Sequence, residues 1–192
     1  ELERIERVAA ARGAVAPIAL RVNPDVDPNT HPYIATGLRE SKFGIAIDDA
    51  RPLYRQAAQS PHLAVAGIDC HIGSQLTTVQ PFIDALERVL ALCDALAQDG
   101  IAVGHLDLGG GMGIRYRDEA PPAPAGWAAA IEQVLGERDC EIRLEPGRAI
   151  AGNAGVLVTR VDSLKAAPGK TFAIVDAAMN DFIRPSLYDA WQ

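Results

Sequence analysis

The chain has 192 residues, of which 48% are hydrophobic and 22% charged, with a formal net charge of −7 at pH 7. These values are typical of a soluble globular protein with one sizeable core, and the negative charge argues against a nucleic-acid or acidic-membrane surface. No apolar run approaches the roughly 18 residues of a membrane helix, and the first ten residues do not form a signal peptide. The three cysteines lack the spacing of a disulfide framework or a zinc site, so a cytoplasmic location fits best.

The hydrophobic pattern predicts helices and strands in alternation. Helical spacing of apolar residues predicts helices over 1–11, after Asp48-Asp49, after a cap at Thr77 or Thr78, and over 127–135. Short apolar runs predict strands between them, over 18–22, 63–68, 101–108 and 142–144. Such alternation is typical of a parallel α/β sheet.

The pattern changes after residue 151. Residues 155–161 and 171–176 predict two strands joined by a turn at 167–170, with no helix between them. We therefore expect residues 1–151 to form part of a parallel (β/α) structure and residues 152–192 to begin a β domain. If the first part belongs to a (β/α) barrel, the carboxyl ends of its strands share one rim, where active sites of such barrels lie.

Three motifs follow the predicted strands at that rim. In HLDLGGGMG, the glycines Gly109, Gly110 and Gly111 allow close backbone approach, and their amides could surround a phosphate. A tight turn without a ligand is the simpler alternative.

The other two motifs carry polar side chains. After the strand 63–68, His71 could act as a base, a metal ligand or a flat stacking surface, although a structural histidine is more common, and Ser74 could donate to a phosphate oxygen. After the strand 142–144, Glu145 suits a protonated ring nitrogen, with an ion pair to Arg148 as the alternative. Gly147 and Arg148 add further donors for an anion.

An anion site, a flat ring and a carboxylate together favour a phosphorylated aromatic cofactor. A dinucleotide site is disfavoured, because the glycine motif from Gly109 would need glycine at Ile114. Metal-dependent hydrolysis is also disfavoured, because no two of the four histidines have ligand spacing.

At the level of whole motifs, the chain resembles the diaminopimelate decarboxylases, which are fold-type III pyridoxal-phosphate enzymes. The resemblance rests on RVNPDVDPNTHPYIATGLRESKFGI (21–45), HIGSQ (71–75), LDLGGGMGI (106–114), EPGRAI (145–150) and VDAAMNDFIRPSLYDA (175–190). It implies part of an alanine-racemase-like (β/α)8 TIM-type barrel followed by the start of a β domain. It also implies decarboxylation of meso-diaminopimelate to L-lysine in a cytoplasmic homodimer, with pyridoxal 5′-phosphate as cofactor.

The resemblance implies a role for each motif residue. His71 would stack on the cofactor ring, and Glu145 would pair with the pyridine nitrogen. The phosphate would be held by Ser74, the amides of Gly109, Gly110 and Gly111, and the backbone of Pro146, Gly147 and Arg148. The substrate would be bound by Arg148, Arg184 and Tyr188.

The chain also departs from this family. Family members attach the cofactor to a lysine in a Tyr-x-x-Lys motif, whereas the lysines here are Lys42, Lys165 and Lys170, none in that context. The downstream Cys-Glu pair and late tyrosine are also missing, and only about four of the eight strands that close a barrel are predicted. We therefore expect an internal fragment that is inactive alone. A non-catalytic relative that binds or regulates a decarboxylase, another amino-acid decarboxylase of this barrel type, and a racemase are the alternatives; Glu145 disfavours the racemase.

Overall fold

The computed structural model describes residues 1–27, 37, 41–188 and 191. The first part of the chain contains a parallel sheet of five strands, in the order β2-β1-β3-β4-β5, and helices lie between most of the strands along the chain. The elements are α1 (Leu2–Ala11), β1 (Ala16–Asn23), β2 (Ile45–Ala46), α2 (Ile47–Gln59), β3 (Leu63–Cys70), α3 (Gln80–Gln98), β4 (His105–Asp107), α4 (Pro124–Leu135), β5 (Glu141–Arg143) and α5 (Gly147–Ala151). The predicted parallel α/β architecture is confirmed.

One face of this sheet is covered by helices that bury a continuous core. Alternate residues of the strands point to opposite faces, and Val22, Ile68 and Leu106 are almost fully buried. The largest helix, α3, adds an apolar stripe at helical spacing. Its buried side chains are Pro81, Phe82, Ala85, Leu86, Val89, Leu90, Leu92 and Leu96.

A buried tyrosine forms hydrogen bonds with backbone groups at an irregularity in the sheet. The pairing of β1 with β3 shifts register after Ile18, which leaves Ala66 without a partner in that ladder. The hydroxyl of Tyr54 on α2 accepts the Leu20 N–H at 3.1 Å and donates to the Gly67 carbonyl at 2.8 Å. The Leu20 N–H and the Gly67 carbonyl, which lie beside the bulge, thereby have a hydrogen-bond partner inside the core.

Several predicted boundaries were wrong for local reasons. The short strand β2 lies just after a segment predicted as a long loop, so the sheet has five strands rather than four. No side chain caps α3, which begins after Val79 with a proline in its first turn; Thr77 and Thr78 precede it. Helix α4 begins at Pro124 rather than Trp127, because proline is compatible with the first helical turn.

A separate two-stranded antiparallel sheet follows the parallel sheet in the chain. It pairs β6 (Val161–Ala167) with β7 (Lys170–Val175), and a short helix, α6 (Arg184–Tyr188), comes after it. The turn between the strands was predicted correctly, but residues 155–160 are not a strand. The ladder from that turn ends at Val161 opposite Val175. Arg160 adds one further backbone bond by accepting the Asp176 N–H at 3.2 Å, and no strand among the described residues pairs with residues 155–159. No helix in the described part of the chain has the length and apolar character to cross a membrane.

Candidate functional site

The three predicted motifs converge at one edge of the parallel sheet. Asp69 on β3 pairs with Asp107 on β4, which pairs with Arg143 on β5. His71, Gly109 and Glu145 each follow one of these residues by two positions, and hydrogen bonds join the loops on which they lie. The Gly110 N–H donates to His71 Nδ1 at 3.0 Å, and the Glu145 N–H donates to the Gly109 carbonyl at 2.8 Å.

The triple glycine allows these loops to approach one another. A Cβ at Gly110 would lie 2.2 Å from the Glu145 carbonyl oxygen, and a Cβ at Gly111 would lie 2.3 Å from the Gly73 carbonyl oxygen. Gly109 and Gly111 also have φ values of +67° and +108°, which side chains disfavour. Close packing of three loops therefore requires glycine here before any ligand is considered.

The amides of this turn are largely engaged within the protein. The Gly109 N–H donates to Asp107 Oδ1 at 2.9 Å, and the Gly110 N–H donates to His71. Of the three amides predicted to hold a phosphate, the Gly111 N–H alone has no acceptor within the described residues. Contact between a phosphate and the other two amides would require an exchange of these hydrogen bonds.

His71 is held as a neutral, oriented ring. Because Nδ1 accepts a hydrogen bond from the Gly110 amide, the proton of the neutral imidazole lies on Nε2. Burial and the positive charge of Arg21 lower the pKa of His71, although the carboxylates of Glu145 and Asp107 act in the opposite direction. A neutral imidazole at pH 7 suits a flat stacking surface better than a cationic group.

A row of charged residues lies directly beneath this edge. Arg21 pairs in register with Asp69, and the row continues through Asp107 to Arg143. Burial, with the negative charges of Asp107 and Glu145, raises the pKa of Asp69 to about 6, while Arg21 opposes this rise. The row was not predicted, although Asp107 carried a recognisable signal, since aspartate often accepts the amide two residues further along the chain.

Arg148 does not form the ion pair with Glu145 that was considered as an alternative. Its Nε and Nη2 donate to Ser74 Oγ at 3.2 Å and 2.9 Å, and its Nη1 donates to the Tyr116 hydroxyl at 2.6 Å. Glu145 is exposed, and its carboxylate forms no ion pair with this guanidinium. Arg148 and Ser74, which were both predicted as site residues, are thus in direct contact, and Tyr116 is a neighbour that the prediction missed.

The loop that carries Tyr116 is fixed against the loop of Ser74. The Gln75 side chain donates to the Ile114 carbonyl at 2.6 Å and accepts the Ile114 N–H at 3.1 Å. The Leu76 N–H donates to the Gly111 carbonyl, and the Gly113 N–H donates to the Leu76 carbonyl. Ser74 and Tyr116, which lie in two different loops, are therefore held together where they contact Arg148.

The last predicted site residues lie on α6. Arg184 lies over the ring of Tyr188, with 5.6 Å between the guanidinium carbon and the ring centroid, and the buried Arg184 Nε has no hydrogen-bond partner among the described residues. The loop between β4 and α4 reaches toward the same end of the chain, because the Arg117 guanidinium carbon lies 4.2 Å from the ring centroid of Trp191. A substrate contact by Arg184 and Tyr188 stays a prediction.

The described part of the chain contains no cluster of three or more histidine, cysteine, aspartate or glutamate side chains arranged to hold an ion.

Comparison with known proteins identifies relatives of this arrangement. Residues 1–152 match the family described as pyridoxal-dependent decarboxylase, pyridoxal binding domain. The chain is 62% identical to the diaminopimelate decarboxylase of Pseudomonas aeruginosa over 191 residues, which cover 100% of this chain and 46% of that protein. It is 60% identical to the diaminopimelate decarboxylase of Vibrio cholerae, again over 100% of this chain and 46% of the relative.

The fold has solved counterparts as well. The structure of diaminopimelate decarboxylase from Helicobacter pylori complexed with L-lysine superposes with a TM-score of 0.94 at 41% identity, covering 98% of this chain and 48% of that one. The five-stranded sheet is therefore a partial TIM-type barrel, as predicted. The chain spans about half the length of these relatives. Since the family match extends over residues 1–152 of 192, the chain belongs to the pyridoxal-dependent decarboxylases.

Proposed function

We propose that this chain is part of an enzyme that decarboxylates meso-diaminopimelate to L-lysine and carbon dioxide. The curated relatives with this name are 62% and 60% identical to it. The Helicobacter pylori relative was solved with L-lysine, the product of that reaction. Because the chain covers 46% of the curated relatives, the activity is assigned to the whole enzyme rather than to these residues alone.

The residues at the rim fit pyridoxal 5′-phosphate, which has an aromatic ring, a ring nitrogen and an anionic tail. The half-buried His71 presents a neutral ring, and Glu145 presents an exposed carboxylate. Arg148 has donors beyond those given to Ser74 and Tyr116, and the buried Arg21 Nε has no hydrogen-bond partner in the part of the chain that the structure describes. These groups match the three parts of the cofactor.

The chemistry then divides between the cofactor and the chain. When bound, the cofactor supplies an electron sink for the pair left by departing carbon dioxide. Glu145 would hold the proton on the pyridine nitrogen, because a nearby carboxylate stabilises a cation. His71 would orient the ring, while Ser74, the glycine turn (Gly109, Gly110 and Gly111) and the backbone of Pro146, Gly147 and Arg148 would hold the phosphate. Arg148, Arg184 and Tyr188 would bind the substrate carboxylates.

We further propose a domain boundary near Gly152, homodimer formation in the whole enzyme and a cytoplasmic location. The boundary is supported by the end of the family match at residue 152 and by the separate antiparallel sheet that follows. Subunit assembly and location remain predictions from the family resemblance.

The observation that carries the proposed function is the contact of His71, the glycine turn and Glu145 at one edge. Its test is calorimetric titration of the chain with pyridoxine 5′-phosphate, which has no aldehyde and cannot react with lysine. We expect His71→Ala and Glu145→Gln each to raise the dissociation constant roughly 3–10-fold, the value of one stacking or polar contact. His62→Ala, outside the rim, should leave it unchanged. Equal affinities in all four proteins would contradict the assignment.

We also expect the unmodified chain to release no carbon dioxide from meso-diaminopimelate when pyridoxal 5′-phosphate is added. None of Lys42, Lys165 and Lys170 lies in the motif that the family uses to attach its cofactor. Release of carbon dioxide that disappears in Lys42→Ala would show that this expectation is wrong and that Lys42 supplies the missing amine.

A further inference from the structure

Tyr116 contacts the site through Arg148, although no motif pointed to it. Its hydroxyl oxygen accepts Nη1 of Arg148 at 2.6 Å, and the centre of the guanidinium lies 5.9 Å from its ring centroid. The residue is half-buried in the loop between β4 and α4.

The position of Tyr116 is fixed by its own loop. Glu119 Oε2 accepts the N–H groups of Tyr116 and Arg117 at 3.0 Å and 2.7 Å. These amides lower the pKa of Glu119, so the carboxylate remains charged and keeps both bonds at neutral pH. The reciprocal bonds between Gln75 and Ile114 anchor the beginning of the same loop.

The hydrogen bonds of this cluster leave several donors unused. A guanidinium has five N–H groups, and Arg148 directs three bonds to Ser74 and Tyr116, so two N–H groups have no acceptor among the described residues. Ser74 Oγ accepts two of these bonds, which occupies both of its lone pairs and leaves its hydrogen to be donated. The Tyr116 oxygen likewise acts as an acceptor, and neither hydroxyl donates to another described residue.

We propose that the Tyr116 hydroxyl is an anion-binding group of this site, which donates to an oxyanion while its oxygen positions Arg148. Ser74, Tyr116 and Arg148 then form one donor set, in which the guanidinium polarises both hydroxyls. The ligand is a phosphate monoester or a carboxylate, since both present negatively charged oxygen acceptors. This inference deepens the proposed function and rests on it.

The test compares Tyr116→Phe with the unmodified chain in calorimetric titrations with pyridoxine 5′-phosphate, inorganic phosphate and L-lysine. Loss of one charge-assisted hydrogen bond should raise the dissociation constant of the relevant anion about tenfold. A weaker phosphate response identifies the phosphate as the ligand, and a weaker L-lysine response alone identifies a carboxylate. The Arg148 Nε–H resonance, followed by NMR, should also shift on ligand binding in the unmodified chain and shift less in Tyr116→Phe.

Tyr54→Phe is the matched control, because it removes a hydroxyl bonded only to the backbone groups of Leu20 and Gly67 within the core. It should lower stability and leave the three affinities unchanged. Unchanged affinities in Tyr116→Phe, with binding by the unmodified chain, would overturn the role of Tyr116 and leave the proposed function intact. Absence of all binding by the unmodified chain would overturn both.

Discussion

The parallel sheet and the antiparallel hairpin of this chain differ most in how their apolar side chains are covered. In the parallel sheet, Leu86 and Ile68 are completely buried between strands and helices. In and before the hairpin, Val156, Val158 and Leu164 are 89%, 85% and 70% exposed. Both regions contain well-formed strands, so regular hydrogen bonding alone does not produce a core.

This difference explains why the residues of the candidate site have defined positions. Strands β3, β4 and β5 are fixed by helices on one face, and their carboxyl ends therefore present His71, Gly109 and Glu145 at defined positions. The hairpin is fixed mainly by its own ladder and turn, since its side chains contribute little burial. Substitutions can test whether the two regions are stabilised separately.

The largest difference is expected for leucine truncation. Leu86→Ala removes a completely buried side chain and should lower the free energy of unfolding by about 2–5 kcal/mol. Leu164→Ala changes a side chain that is 70% exposed, and its effect should stay within about 0.5 kcal/mol. Urea unfolding followed by circular dichroism measures both, and equal losses would show that the hairpin shares the core.

A somewhat smaller effect is expected at the glycine turn. The Cβ of Gly110→Ala would lie 2.2 Å from the Glu145 carbonyl oxygen, so the loops must separate, at a cost of about 1–3 kcal/mol. Gly155→Ala, where a Cβ meets nothing within 4 Å, is the control in the other region. The Gly110 variant should also bind pyridoxine 5′-phosphate more weakly. Full stability of Gly110→Ala would contradict the close packing of the three loops.

Much of the parallel sheet could be predicted because the spacing of apolar residues along the sequence indicates which side chains are buried. The stripe of α3 and the apolar runs of β1 and β3 follow directly from packing on one face. Strand β2 could not be recognised in this way, because it has two residues and exists through pairing with Val22 and Asn23. The start of β6 was misplaced for a related reason, since residues 156–158 are apolar but face no partner strand among the described residues.

The residues of the candidate site were likewise predicted only in part. His71, Ser74, Glu145 and Arg148 were found because they stand in recognisable motifs at strand ends. Tyr116 was missed because its role depends on a hydrogen bond between its loop and Arg148 on helix α5, which no spacing encodes. The glycine amides were predicted to donate hydrogen bonds to a phosphate. Sequence alone did not reveal that Asp107 and His71 accept hydrogen bonds from two of these amides.

The two regions should also respond oppositely to pH. The pKa of Asp69 in the folded protein is raised to about 6, above the value of 3.8 for a free aspartate, so protonation favours the folded state. The contribution of Asp69 to stability is therefore complete below about pH 4 and is lost as the pH rises through 6. Urea unfolding between pH 4 and 7 should show this decrease, and Asp69→Asn should remove it.

Asp176 provides the comparison in the hairpin region. Hydrogen bonds from the Arg160 amide and the Thr159 hydroxyl lower the pKa of Asp176, so its contribution is present above the unfolded pKa and lost as the pH falls. The NMR shifts of the Arg160 amide should follow this loss and stay unchanged in the range where Asp69 titrates. A common pH dependence in both regions would show that they unfold as one unit.

The smallest and most local effect is expected at the hairpin turn. Gly169 has a φ of +79° between β6 and β7, and a Cβ there would meet no other atom within 4 Å, so strain arises from the backbone alone. Gly169→Ala should therefore weaken the hairpin by about 1 kcal/mol, the cost of placing a side chain in the left-handed region. Hydrogen exchange of the Lys165 amide, which lies in a hydrogen-bonded pair with Phe172, should become faster, whereas the Gly110 amide at the rim should keep its protection. Because this substitution leaves every contact of the parallel sheet in place, a loss of protection at Gly110 would mean that the rim depends on the hairpin, contrary to the separation that the burial of the two regions indicates.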